Sequence, residues 1–151
     1  MEPPGLEREN EKRSDGVTLV PWKQGKALVW DVTCVDTMAQ TYIVGSLTAA
    51  GTAADTAEKK KIRHYRNLTE GRFIFSPVAF ETFGPWGPVT RDLISTIGRK
   101  ITERSGEKRA SEFLRQRISI EIQRGNATSV FNTHSNTRGL DEIYYVLHAK
   151  R

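Results

Sequence analysis

The apolar positions between residues 16 and 35 fall into two runs of β-branched and aromatic residues. These runs, VTLVPW and ALVWDVTCV, are separated by the polar stretch KQGK, which contains Gly25. Two such runs around a glycine-containing turn are typical of a β-hairpin. The pattern therefore predicts a hairpin in which residues 16–22 pair with residues 27–35.

The apolar spacing then changes to that of a helix. Residues 53–66 (AADTAEKKKIRHYR) are mostly good helix formers, after a less regular stretch at 36–52. Residues three and four positions apart share a helix face. Here that face carries Ala54, Ala57, Lys61 and Tyr65. Its alanines predict a helix that packs closely against a sheet.

The second half of the chain predicts one more strand and two helices. Residues 73–83 (FIFSPVAFETF) indicate a strand that is interrupted, or lies at a sheet edge, at Pro77. After a turn at 84–87, an amphipathic helix is expected from Pro88 to Gly106. Residues 108–124 fit a helix or, at ISIEI, a strand. Their length and the stop signal Gly125-Asn126 favour a helix.

Length and composition indicate one α/β domain in a chain of 151 residues. We expect a polar lead at 1–13, the domain at 14–130 and a poorly patterned tail at 131–151. No window approaches the roughly 18 apolar residues of a membrane span, and the first residues lack the apolar core of a signal peptide. With Cys34 as its lone cysteine, the chain is expected to be intracellular, in the nucleus or cytoplasm, without a membrane partner.

The positive charge is concentrated in two predicted helices. The net charge is +5; residues 59–66 hold five Lys or Arg and no acid, and residues 99–124 hold eight basic against four acidic residues. Clustered cations favour a polyanion partner, most simply DNA or RNA, with Lys59 and Arg63 as candidate contacts. A solvated helix face would have the same composition.

Asp15 and Asp31 are the candidate catalytic pair. With the hairpin turn near residues 23–24, antiparallel pairing places residue 15 opposite residue 31 or 32. Opposed positions have Cβ atoms ~4.5–5.5 Å apart, within reach of a shared Mg²⁺. Asp31 also lies in an apolar strand, where a carboxylate needs a cation as partner. Lys61, or its neighbour Lys60, is the nearest candidate.

Two acids, a metal and a lysine suit phosphodiester hydrolysis, because the metal activates water and the ammonium offsets charge in the transition state. The alternative is a structural one. A strand-end aspartate can be satisfied by turn amides, and a lysine run can simply be solvated.

Four segments resemble, in order, the restriction-endonuclease-like domain that follows the reverse transcriptase in some invertebrate retroelement-derived proteins. This resemblance covers about residues 13–130. That domain is similar to the PD-(D/E)xK nuclease superfamily, which implies a mixed sheet, hairpin plus further strands, flanked by helices, and magnesium-dependent DNA cleavage. The segments are SDGVTLVPWKQGKALVWDVTCVDT, AAGTAADTAEKKKIRHY, FETFGPWGP and FLRQRISIEIQRGNA.

The resemblance assigns the metal-binding acids to Asp15 and Asp31. Thr33 stands where the superfamily has its motif lysine, and a hydroxyl supplies no positive charge. The superfamily tolerates a lysine on the following helix, which implies Lys61, with Lys60 as second choice. Further implied residues are an acid at Glu7, Glu9 or Glu11 and phosphate contacts at Arg115, Arg117 and Arg124. Independently of the resemblance, Glu58 lies beside the alanine face of its helix and is a candidate third acid.

Two functions follow as expectations. The first is a magnesium-dependent endonuclease-like domain. The sequence leaves open whether it forms a homodimer, and the resemblance implies a reverse transcriptase domain in a longer parent protein. The second is a nuclease fold whose site has decayed and which binds nucleic acid or another partner. Thr33 favours the second, whereas the retained acids and Lys61 favour the first.

Overall fold

A three-stranded mixed sheet packed against helices forms the centre of the fold. The computed structural model describes residues 14–66 and 73–133. The strand order is β1-β2-β3, with β1 antiparallel to β2 and β3 parallel to β2. The α/β class, the mixed sheet and the two C-terminal helices are therefore confirmed. The elements are β1 Gly16–Val17, β2 Ala27–Val35, α1 Ile43–Ser46, α2 Thr52–His64, β3 Phe73–Glu81, α3 Pro88–Ser105 and α4 Ala110–Thr133.

The predicted hairpin is present, but its first limb is shorter than expected. Gln24 (φ 51°) and Gly25 (φ 73°) are both left-handed, as a two-residue type I′ turn requires. Regular pairing covers only β1, and the chain then leaves the sheet so that Leu19 is fully exposed. Pro21 has no N–H to donate to a ladder, which disfavours regular pairing in this limb.

The strand β3 runs without interruption through Pro77, which lies opposite Asp31. β3 is one of the two outer strands of the described sheet. The prediction that Pro77 lies at a sheet edge is therefore confirmed. The expected stop at Gly125-Asn126 is wrong, because α4 continues to Thr133. The side-chain amide of Asn126 donates to the Thr82 carbonyl oxygen at 2.6 Å, and this contact anchors the helix beside the end of β3.

The core between α2 and the sheet is built from small residues. Ala53, Ala54 and Ala57 are buried against Val35 and Ala79. Because alanine side chains are short, the helix axis lies close to the strands, as its alanine face predicted. Among the described residues, no helix combines the length and apolar character needed to cross a membrane.

The opposite side of the sheet is less completely covered. Cys34 lies on this side and lines a cavity of about 530 Å³ together with Ile118 and Ile122 of α4. The cysteine is exposed. Its exposure follows because α4 stands off from the strand at this point.

Candidate functional site

Asp31 and Lys61 form the centre of the candidate site. Asp31 lies on β2, and Lys61 lies on α2, which connects β2 to β3. The Lys61 ammonium donates to Oδ2 of Asp31 and lies 3.5 Å from the Val32 carbonyl oxygen. The side chain of Asp31 is 14% exposed and that of Lys61 is 19% exposed. The acid in the apolar strand thus has a cation as partner, and solvent still reaches the pair.

Asp15 lies beside this pair, directly before the first residue of the neighbouring strand β1. Gly16 pairs with Trp30, which places Asp15 opposite Asp31 as predicted. The Asp15 N–H donates to the Trp30 carbonyl oxygen at 3.1 Å, and its Oδ2 accepts the Val32 N–H at 2.5 Å. A Cβ on Gly16 would lie 2.2 Å from the Trp30 ring, so only glycine permits this close pairing.

The oxygens of this carboxylate pair are compatible with a magnesium ion. Within residues 14–66 and 73–133, Oδ1 of Asp15 and Oδ1 of Asp31 accept no hydrogen bond. The same residues contain no group of three or more His, Cys, Asp or Glu side chains that could hold a metal. Mg²⁺ commonly binds through one or two carboxylates, with water and substrate phosphate as its other ligands. Two carboxylates therefore fit this ion chemically, and Asp15 and Asp31 would hold it.

Thr33 lies two residues beyond Asp31 on β2 and is half-buried. Alternate residues of a strand share a face, so Thr33 and Asp31 point to the same side of the sheet. The hydroxyl cannot act as an ammonium group. Lys61 brings an ammonium group to Asp31 from α2.

Glu81 fixes the beginning of α2. Its side chain is 1% exposed, and its Oε1 accepts the N–H groups of Ala53 at 3.0 Å and Ala54 at 3.1 Å. The first amides of a helix lack intrahelical partners and carry partial positive charge. Gly51, at the N-cap, provides no side-chain cap. The Glu81 carboxylate, at the end of β3, caps the helix instead and ties α2 to the sheet.

Glu58 performs the same task for α3. It is also 1% exposed. Its Oε2 accepts the Val89 N–H at 3.0 Å, and its Oε1 accepts the N–H and O–H of Thr90 at 2.8 and 2.6 Å. The Thr90 hydroxyl oxygen accepts the Ala79 N–H at 2.7 Å. Glu58, expected as a third acid, is thus engaged at the start of α3, one helical turn from Lys61.

The other predicted cations of α2 have different contacts. Lys59 forms an ion pair with Asp55 at 2.6 Å. The Lys60 ammonium lies 5.0 Å from the centre of the Tyr42 ring. Arg63 donates to the Lys59 carbonyl oxygen at 3.3 Å. All three are exposed, and none of these contacts involves Asp31, so the second-choice lysine is not the one brought to the acid.

The three predicted arginines of α4 are not equivalent. Arg117 and Arg124 both bind Oε1 of Glu121, at 2.8 and 3.2 Å. Arg115 instead donates to the Ser95 hydroxyl of α3 at 3.2 Å. No carboxylate of the described residues forms an ion pair with Arg115. It is therefore the better placed of the three to meet an anion.

The sequence interpretation missed the roles of the two buried glutamates. Glu81 ends the apolar run FIFSPVAFE, so the argument that drew attention to Asp31 applies to it equally: an acid in an apolar strand needs a partner. The partners are backbone amides of a helix distant in sequence, which no local pattern shows. The other proposed acids, Glu7, Glu9 and Glu11, lie outside the described residues.

Comparisons with protein-family models, with curated proteins and with solved structures found no match for this chain. The resemblance to restriction-endonuclease-like domains therefore stays a prediction. What the structure adds is the contact of Asp31 with Lys61 and the position of Asp15 beside them.

Proposed function

We propose that this chain is a metal-dependent nuclease domain that hydrolyses phosphodiester bonds in DNA or RNA. One observation carries the proposal: β2 and α2 bring Asp31 and Lys61 into contact, and Asp15, directly before β1, binds β2 at the Val32 N–H. Asp31 and Lys61 are thirty positions apart in the sequence. Together with Asp15 they are the residues that the phosphodiester chemistry inferred from the sequence needs.

In this proposal Asp15 and Asp31 hold Mg²⁺, and Lys61 acts on the reacting groups. The ion, when bound, polarises the phosphate and lowers the pKa of a bound water. Lys61 has three N–H donors, of which one binds Asp31. A second donor points to the Val32 carbonyl oxygen, and the third can orient the attacking water or bind a phosphate oxygen as negative charge develops there. Asp31 also keeps the flexible lysine side chain in position.

A second candidate function is nucleic-acid binding by a domain that no longer cleaves. Thr33 at the motif position favours it, as does the bond from Lys61 that occupies one oxygen of Asp31. In that case the Asp31–Lys61 pair is a structural ion pair between β2 and α2.

Nicking of supercoiled plasmid by the purified chain, with magnesium, manganese or EDTA, distinguishes the two functions. We expect cleavage that requires metal and falls at least about a hundredfold in Asp31→Asn and in Lys61→Met, as is typical when one group that stabilises the transition state is lost. Parallel reactions with a single-stranded RNA identify the preferred polymer.

Two variants serve as matched controls. Asp55→Asn removes an acid from the same helix that carries Lys61, and Lys108→Met removes an exposed lysine before α4. Both are expected to cleave as the parent chain does. Binding of the plasmid without cleavage in any metal would reject the nuclease and leave the second function. Equal cleavage by all four variants would show that the activity does not come from this site.

A further inference from the structure

We propose that a pocket between α3 and α4, built from Trp86, Arg91 and Arg115, binds single-stranded nucleic acid. The two arginines hold a backbone phosphate, and the indole stacks on a base. This inference rests on the proposed function in that both assume a nucleic-acid partner, but it concerns a separate set of residues and does not require cleavage.

The pocket has the size and the chemistry of a binding site. Its volume is about 370 Å³ and it is lined by Gly84, Trp86, Arg91, Ser95 and Arg115. Small-molecule sites commonly fall between ~300 and 1,000 Å³. The lining contains two guanidinium groups, one hydroxyl group and one indole, and no carboxylate.

The arginines of the pocket differ from their neighbours in having no acidic partner among the described residues. Arg117 and Arg124 share Glu121, and Arg109 pairs with Glu112. Within the part of the chain that the structure describes, neither Arg91 nor Arg115 forms an ion pair with a carboxylate. Guanidinium groups that converge without an acid attract phosphate, which they bind with two parallel N–H donors.

Two contacts hold the pocket in shape before any ligand arrives. Ser95 of α3 accepts a hydrogen bond from Arg115 of α4 at 3.2 Å, which orients that guanidinium group. The Trp86 and Phe80 rings pack perpendicular to each other, with ring centres 5.5 Å apart, and Trp86 remains half-buried. A fixed indole beside cations is the arrangement by which proteins bind single strands, since every base offers a face for stacking.

A second aromatic pocket is a weaker candidate. It is larger, about 500 Å³, and includes Trp22 and Lys100. However, the Lys100 ammonium lies 5.2 Å from the centre of the Trp22 ring, and the Asp92 carboxylate also lines the cavity. A negative charge in the lining and an indole already covered by a cation make this pocket less suited to a polyanion.

The experiment measures, by anisotropy, the binding of a fluorescent oligo-dT of twelve nucleotides in EDTA and at fixed low salt. A duplex of equal length and polyphosphate are measured as the second and third ligands. We expect Arg91→Ala and Arg115→Ala each to weaken binding of all three polyanions about fivefold. Arg104→Ala removes the same charge from the exposed end of α3, and we expect its change to stay below about twofold.

Trp86→Leu separates stacking from charge. It is expected to weaken binding of the single strand about tenfold, while binding of the duplex and of polyphosphate, which offer no free base, changes little. Circular dichroism and the melting temperature establish that each variant is folded. If Trp86→Leu does not fold, the two arginine variants still decide the phosphate site, and quenching of tryptophan fluorescence in Trp22→Phe/Trp30→Phe decides the stacking.

Equal loss in Arg91→Ala, Arg115→Ala and Arg104→Ala would overturn the phosphate site, since only total charge would then matter. Equal loss of all three ligands in Trp86→Leu would overturn the stacking. The outcome is independent of the nuclease assay: a chain that binds through this pocket without cleaving refutes only the proposed catalysis, and one that cleaves with unchanged binding in these variants refutes only the pocket.

Discussion

The helices α2 and α4 are both rich in charged residues, yet their charges have different roles. α2 buries Glu58 completely and nearly buries Lys61, and each has a specific partner on another element. α4 buries only Ala110, and its acids and arginines pair with one another along the same helix. Glu58 and Lys61 of α2 therefore fix how elements meet, whereas most charges on α4 are solvated.

The difference follows from what surrounds each helix. Where small residues bring a helix close to a sheet, water is excluded, so any charge there must find its partner within the protein. On an exposed helix, water screens each charge, and pairs between adjacent turns contribute little. A basic stretch in the sequence can thus belong to either case.

The largest stability effect is expected at the buried acid of α2. Glu58→Gln places an N–H₂ group among the donors of Val89 and Thr90, because both carboxylate oxygens accept bonds there. We expect a loss of about 2 kcal/mol in the free energy of unfolding, measured by urea denaturation followed by circular dichroism. Because Glu58 is one turn from Lys61, metal-dependent cleavage should fall as well.

Glu81→Gln sharpens this result, since a single oxygen of Glu81 accepts both amides and an amide side chain keeps that oxygen. We expect a smaller loss, about 1 kcal/mol, mainly from the weaker interaction with the helix dipole. Glu112→Gln, in the exposed first turn of α4, serves as the control. Equal losses in all three variants would contradict the distinction between buried and exposed acids.

Removing the shared acid of α4 is expected to change little. Glu121→Ala breaks the contacts of both Arg117 and Arg124, whose side chains are 72% and 67% exposed. We expect a change below about 0.5 kcal/mol in the free energy of unfolding, measured in the same urea titration. A loss as large as that of Glu58→Gln would show that α4 is buried against a partner in solution.

The smallest effect is expected at Cys34, which faces α4 across the sheet's open side. The side chain is exposed, but neighbouring atoms partly desolvate its thiol, which raises the pKa of that group because desolvation disfavours the thiolate. Its alkylation by iodoacetamide should therefore reach full rate at a higher pH than that of free cysteine. As pH rises, the thiol ionises in the unfolded chain before it ionises in the folded one. The free energy of unfolding is therefore expected to fall as pH rises through the range in which thiols titrate.

Stopped-flow alkylation across pH 7–11 measures the pKa directly, and a melting series over the same range tests its linkage to stability. Cys34→Ser provides the reference, because it lacks the titrating thiol. A profile identical to that of free cysteine would indicate that α4 leaves the thiol fully solvated.

Much of the fold was predictable because its signals are local. The two runs of β-branched residues around Gly25, the alanine face of α2 and the proline at the start of α3 each act within a few residues, and the structure confirms each of them. The pairing of Asp15 with Asp31 followed as well, since a hairpin register depends only on where its turn lies. Pro21 cannot donate to a ladder, and the hairpin's first limb is shorter than expected.

The end of α4 was predicted wrongly for a different reason. Gly125-Asn126 is a local stop signal, but glycine costs a helix only ~1 kcal/mol. The contact of Asn126 with the Thr82 carbonyl oxygen helps to offset this cost, and the sequence near residue 126 carries no sign of it.

By itself, the sequence determined which residues form the hairpin, the alanine-faced helix and the candidate set Asp15, Asp31 and Lys61. Only the tertiary structure decided which of the two lysines contacts Asp31 and assigned Glu58 and Glu81 to helix ends. Among the described residues, it also left Arg115 without an acid while pairing Arg117. The physical reason is that the energy of a charge depends on its solvent exposure and on partners distant in sequence. Those are fixed only when the sheet and helices have packed.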